Sequence, residues 1–229
     1  EGPGGGLMTH VKQLSDDIHR IGEAHREYRR QIPALKGKNI RIAMDEWNYW
    51  YGPAIFGELG TRYFMRDGLG IAAGMNEFSR NSDIYFMANY AQTVNVIGCI
   101  KATGTASAFE TTGLVLKMYR QHFGAIPVKI SGTPEPLDIA ATLSKDKSKL
   151  TVAIVNPTRK IQNIDLKVVG ILLSDTTEVY YIQSDDDMAF NDPGKEDKIK
   201  IESRAVKIVG NKLAIAPVSS SIYVFDVKK

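Results

Sequence analysis

The run Asp45-Glu46-Trp47-Asn48-Tyr49-Trp50-Tyr51 gathers two adjacent carboxylates, an amide and four aromatic rings. It follows Ile40-Arg41-Ile42-Ala43-Met44, a short β-rich stretch, so Glu46 is expected at the carboxyl end of a strand. In barrels of parallel strands, active sites sit at that end. Sugar rings carry C–H faces that stack on aromatics, and a carboxylate beside them can attack or protonate. A sugar or small-ligand site is therefore one reading, and a well-packed strand end is the other; residue types alone leave both open. Consecutive strand residues face opposite sides, so Asp45 is expected to diverge from Glu46 and to serve structure, with Arg41 on its own strand face. Glu58, Glu77 and Glu110 lie on or near predicted helices and read as solvated or capping groups.

Metal and thiol chemistry find little support. The single cysteine, Cys99, excludes an internal disulfide framework and a multi-cysteine zinc site. With no cationic neighbour suggested, Cys99 reads as buried and inert. His10, His19 and His122 show no paired metal-ligand spacing, and His25 falls on an apolar helical stripe as a satisfied core histidine. The net charge of +3 is small and interspersed, which suggests neither a nucleic-acid partner nor an anionic membrane. No apolar run approaches the roughly 20 residues of a membrane span. An apolar fraction of 43% suits a well-cored globular protein rather than a disordered chain.

The elements that must hold these residues can be read from spacing. Leu7, Val11, Leu14, Ile18, Ile21, His25, Tyr28 and Ile32 form an amphipathic stripe that Pro33 ends, with Ser15 a candidate cap for an internal restart. The stretch 40–48 follows, its first half a short β-rich run and its end crowded with polar and aromatic groups. A second helix is expected over 58–80, with Leu59, Tyr63, Leu69, Ala73 and Phe78 on its buried side. Gly68, Gly70 and Gly74 each cost that helix roughly 1 kcal/mol relative to Ala, which implies a closely packed neighbouring backbone. A strand over 84–89 and a third helix over about 107–123, stopped by Gly124, complete a parallel βα grammar. From Ile126 the grammar becomes antiparallel: a hairpin of 137–143 with 150–155, then candidate strands 164–169, 178–182, 198–202, 212–215 and 222–227. The boundary falls at about 125–130. Two parallel strands cannot close a barrel and would expose apolar edges, so the first part reads as a piece of a larger α/β domain.

Four motifs in order, IAMDEWNYWYG (42–52), FMANYAQTVNVIG (86–98), TTGLVLKMYRQHFG (111–124) and LTVAIVNPT (150–158), carry a family resemblance. Over nearly its whole length the chain resembles the carboxyl-terminal part of the α-L-arabinofuranosidases of glycoside hydrolase family 51. The resemblance implies an α/β plus all-β fold. Residues 1–125 would supply a helix and units 7 and 8 of a (β/α)8 TIM barrel; residues 126–229 would form an antiparallel, jelly-roll-like β-sandwich. It implies retaining chemistry, with Glu46 as nucleophile and a second carboxyl about 5–5.5 Å away. The family's acid/base is a Glu after an Asn at the end of the fourth strand. Asn76-Glu77 sits mid-helix and reads as a coincidence, so the acid/base is expected to lie outside this chain.

By the same resemblance Trp50 lines the substrate pocket and Gln92 bonds the arabinose, an amide being able both to donate and to accept. Asn89 and Asn95 are expected to hold the loop, and Tyr51 has no assigned role. The implied reaction releases terminal non-reducing α-L-arabinofuranosyl groups from arabinan- or arabinoxylan-type saccharides, with no metal or organic cofactor. The implied partners are that saccharide, a companion amino-terminal chain or segment completing the barrel, and a second copy in a homo-oligomer. A relative acting on β-1,4-glucan or xylan, and a non-catalytic carbohydrate-binding module, are the alternatives. The opening EGPGGGLMTH has no initiator methionine and reads as a start within a loop, from a nick in Gly2–Gly6 or a truncation. Location is expected to be cytoplasmic, with a secreted or periplasmic alternative.

Overall fold

The α1 helix (Leu7–Gln31) follows the apolar stripe, burying Val11 and Ile18. It ends where Pro33, without an amide hydrogen, opens a short 3-10 turn. Ser15 does not restart it: its hydroxyl bonds back to the Lys12 carbonyl at 3.0 Å and the helix runs through. The structure is a computed structural model and describes residues 5–51, 57–132 and 135–228. Gly2–Gly4 of the opening and Gly52 of the first motif lie outside the described residues.

Strand β1 (Ile42–Trp47) pairs in parallel with β2 (Tyr85–Tyr90), from Ile42 opposite Tyr85 to Trp47 opposite Tyr90. Between them runs α2 (Met65–Arg80), which begins later than the expected 58. Two contacts set that start: Gly60 takes φ +79° against the Val96 backbone, and the Phe64 amide donates to Asp67 Oδ2 at 2.6 Å, which caps the helix there. Every residue from Met65 to Gly74 is buried, so α2 is enclosed all round rather than along one side. Its glycines make room chiefly for rings, not for backbone as expected. A side chain on Gly70 would overlap the Tyr49 ring, and one on Gly74 would lie 2.9 Å from Trp47 Cζ3; Gly68 alone meets a backbone, at Thr111.

Residues Ile100–Ala102 (β3) and Ser107–Phe109 (β4) form a small hairpin where the third helix was expected to begin. Helix α3 (Thr111–His122) starts only after Glu110, whose backbone is extended. A six-stranded antiparallel sheet follows, in the order β10-β9-β12-β7-β6-β5. Its members are β5 (Ile126–Val128), β6 (Asp138–Leu143), β7 (Lys149–Asn156), β9 (Leu172–Gln183), β10 (Glu202–Lys207) and β12 (Ser219–Lys228). Strand β10 replaces the expected 198–202, because the Asn191 amide takes both the N–H and the C=O of Ile199. A further pair, β8 (Gln162–Asp165) with β11 (Lys212–Ile215), is also antiparallel.

Alternation along β7 and β12 divides the core. Val152, Ile154, Tyr223 and Phe225 meet Leu213 and Ile215 of β11, whereas Ala153, Val155 and Ile222 meet α2 and α3 at Leu69, Val115 and Met118. The chain is thus mixed α/β with mostly antiparallel sheet, and its helices and sheet share one buried cluster. Among the described residues no helix is long and apolar enough to cross a membrane.

Candidate active site

The carboxyl end of β1 is fixed from the helix side. Trp47, 7% exposed, meets Phe78 and Tyr90 edge-on at 5.0 and 6.0 Å between centroids. Glu46 is exposed, and among the described residues nothing pairs with its carboxylate. Asp45 is exposed as well: the β1–β2 register slips between Met44 and Trp47, so alternation does not separate the two acids by burial. The expected Asp45–Arg41 pairing is absent among the described residues; the Arg41 guanidinium lies 5.0 Å over the Phe86 ring instead.

Asn48 ties the two strand ends together. Its Nδ2 lies 2.6 Å from the Tyr63 hydroxyl, 2.7 Å from the Ala91 carbonyl and 2.8 Å from that of Ile97, while Oδ1 accepts from the Tyr49 amide at 2.7 Å. The Ala91 amide in turn donates to the Trp47 carbonyl at 3.2 Å. Sequence reasoning gave Asn48 no role. Its place two residues after Glu46 and directly after the last strand residue, Trp47, with donors and an acceptor on a short stem, was the available clue.

Gln92 begins the loop after β2 at a cis Ala91–Gln92 peptide. Its backbone is held by Ile97 and Cys99, but its side chain is exposed rather than buried, and makes no hydrogen bond among the described residues. Asn95 does hold this loop, exchanging two hydrogen bonds with Ala102 at 2.8 and 3.0 Å. Asn89 does not: it is exposed, with no hydrogen bond among the described residues. Trp50 is 76% exposed. Glu46, Trp50 and Gln92 therefore all stand accessible at the carboxyl ends of two neighbouring parallel strands.

Tyr51, left unassigned by sequence, bonds Asp67 through its hydroxyl, and burial together with the Asp67 charge pushes that hydroxyl far above its ordinary range. Asp67 is 0% exposed and also receives His10 Nε2 at 2.8 Å. Glu110 is not solvated: 2% exposed, it accepts the Tyr63 amide at 2.9 Å without capping its own helix. Burial pushes its carboxyl up and the neighbouring Lys101 ammonium down. Glu77 is also buried. Arg80's charge and hydrogen bonds from Arg80, His19 and Asn81 outweigh the burial that raises its carboxyl, and hold it below the ordinary range. Asn76 bonds Asp138 and Tyr119, so the Asn76-Glu77 pair braces α2 against the sheet and α3. The side chain of Glu58 lies outside the described residues.

His25 is satisfied by the Ile40 carbonyl at 2.9 Å but is half-exposed rather than in the core. His19 pairs with Glu77 and His122 stacks on Tyr180. Cys99 is half-buried; burial raises its thiol, although the Lys101 cation, unforeseen from sequence, pulls the other way. Among the described residues no three His, Cys, Asp or Glu side chains are grouped to hold a metal. A cleft of about 270 Å³ between α1, α2 and residues 135–139 is lined by Lys12, His19, Glu77, Arg80 and Asp138, and includes no residue of the β1 end.

The family model for the alpha-L-arabinofuranosidase C-terminal domain matches residues 45–219. A probable alpha-L-arabinofuranosidase C of Aspergillus flavus is 30% identical over 182 residues, covering 71% of this chain and 35% of the relative. A solved arabinofuranosidase structure covers 98% of this chain and 51% of its own at TM-score 0.85 and 21% identity. The alpha-L-arabinofuranosidase of Thermotoga maritima, solved as an arabinose complex, covers 96% and 49% at TM-score 0.80 and 22% identity. At these identities the solved structures speak to the fold alone. The chain spans about a third of the length of the curated relative and half that of the solved ones.

Proposed function

Because this chain belongs to the alpha-L-arabinofuranosidase C-terminal domain family, we propose that it is the carboxyl-terminal portion of a retaining, exo-acting α-L-arabinofuranosidase. Residues 1–125 contribute units 7 and 8 of a (β/α)8 barrel, and 126–229 contribute a β-sandwich. The observation that carries this reading is the exposed Glu46 at the carboxyl end of a parallel strand, with Trp50 and Gln92 exposed on adjoining loops.

Glu46 attacks the anomeric carbon of a terminal arabinofuranosyl group, and the bond to the leaving oxygen breaks as a proton reaches that oxygen. The result is a glycosyl ester on Glu46, which water then cleaves, returning the carboxylate and releasing arabinose. Trp50 offers a flat apolar face to the sugar, and the Gln92 amide can donate to one hydroxyl and accept from another. The proton donor belongs to a companion amino-terminal segment that completes the barrel. Asp67 and Glu110 are enclosed and occupied by structural hydrogen bonds, which makes both poor candidates for it.

The test uses the complete enzyme, this chain joined to or co-expressed with its amino-terminal segment. A 2-fluoro arabinofuranosyl inactivator should add one glycosyl mass, and peptide mapping should put it on Glu46. A label on another carboxylate, or turnover of cello- or xylo-oligosaccharides but not arabinofuranosides, would refute the reading.

A further inference from the structure

Beneath the loop that carries Trp50 lies a cluster drawn from three elements. Asp67, from the first turn of α2, receives the Tyr51 hydroxyl and His10 Nε2 on Oδ1, and the Phe64 amide on Oδ2. His10, from α1, also stands 3.2 Å from the Tyr51 hydroxyl, and its carbonyl accepts the Tyr49 hydroxyl at 2.8 Å. The His10 and Tyr49 rings stack at 4.4 Å and 17°, and those of Tyr49 and Tyr51 lie 6.1 Å apart at 8°. Gly70 is the space into which Tyr49 fits.

Packing alone does not call for this arrangement. Phenylalanines would fill the same volume as the tyrosines, whereas enclosing a carboxylate and an imidazole costs desolvation that must be offset by hydrogen bonds, here those of Asp67 with His10, Tyr51 and the Phe64 amide. What the polar cluster adds is direction. With the rings on both sides of Trp50 drawn inward and bonded, the residue between them is turned outward, and Trp50 is the most exposed aromatic among the described residues.

We propose that Asp67 and His10 are positioning residues which, through Tyr51 and Tyr49, hold the Trp50 indole out over the sugar-facing end of the strands. The inference rests on the reading of Trp50 as a substrate contact, and adds the residues that aim it. Neither Asp67 nor His10 touches substrate.

Tyr51→Phe removes one hydroxyl and keeps the ring. In the complete enzyme it should raise KM for an aryl arabinofuranoside roughly fivefold with kcat within twofold, the pattern of lost binding shared by ground and transition states. A second readout needs no turnover. This chain carries two tryptophans, one buried and one exposed, so in the chain by itself acrylamide-quenchable fluorescence reports Trp50. Its anisotropy should fall in Tyr51→Phe and in His10→Gln as the indole gains freedom. Trp50→Ala serves as the control. If it leaves KM unchanged, the role of Trp50 in binding has failed, and anisotropy alone judges the positioning. If it raises KM while Tyr51→Phe and His10→Gln keep wild-type KM and anisotropy, the positioning role is overturned. A lower melting temperature with both readouts unchanged also overturns it.

Discussion

Glu46 is exposed and its carboxylate has no hydrogen bond or ion pair among the described residues, so Glu46→Gln removes a charge while keeping the size of the side chain. In the complete enzyme that substitution should lower kcat on the order of 10³-fold or more, with the melting temperature unmoved. Turnover within tenfold of wild type would deprive Glu46 of the nucleophile's role. Asn48 should behave in the opposite way. Asn48→Ala strips the Tyr63 hydroxyl and two loop carbonyls of their shared donor, and should cost about 2–4 kcal/mol in denaturant unfolding. Glu110 gives a pH signature. Its carboxyl is pushed up to about 8 by burial, so the folded state holds the proton more tightly than the unfolded chain. Its contribution to stability is complete below the ordinary carboxylate range and is lost as pH rises towards 8. Glu110→Gln should flatten that part of the stability–pH profile; an unchanged slope between pH 5 and 8 would mean that another group sets it.

At the scale of elements, α2 owes its place to what its glycines admit. Alanine is the better helix former by roughly 1 kcal/mol, so an isolated α2 would gain from Gly70→Ala or Gly74→Ala. In the folded chain the added methyl meets the Tyr49 or Trp47 ring, and we expect net losses of about 1–3 kcal/mol in thermal or denaturant unfolding. Stabilisation by either substitution would show that the rings yield freely. The same helix marks where sequence reasoning stops. The α1 stripe, the β6–β7 hairpin and the bounds of β11 were legible because spacing and turn residues within each segment determine them. The starts of α2 and α3 were not. Long-range partners set them: Val96 against Gly60, and the Tyr63 amide on Glu110. The site divides likewise. Glu46, Trp50 and Gln92 stood out by residue type and motif, whereas the His10–Asp67 contact joins side chains 57 positions apart and leaves no local pattern.

For the whole molecule, the shared core bears on how the chain comes apart. A change of grammar near residue 126 separates βα units from antiparallel strands, yet Ala153, Val155, Ile182 and Ile222 of the sheet are buried with Leu69, Val115 and Met118 of the helices. The ion pairs of Asp187 with Arg66 and Arg159, and the bonds from the Met65 and Arg66 amides to the Ala189 and Asp187 carbonyls, clamp the start of α2 onto the loop after β9. Two halves that each kept a private core would melt separately; halves that share one lose both faces together. Calorimetry should therefore give one transition whose van't Hoff and calorimetric enthalpies agree, and residues 126–229 alone should melt well below the intact chain. Two resolved transitions would mean that this interface contributes little. The parallel pair is the exception inside this unit. Phe86 is 64% exposed, with Met87 and Ile40 also open to solvent, although strands of parallel sheets are ordinarily covered on both faces. If a companion segment completes the barrel, its addition should suppress binding of a hydrophobic dye to the chain and raise its melting temperature in proportion to the logarithm of the segment's concentration. Dye binding and melting that ignore the segment would assign that open face to something other than the rest of a barrel.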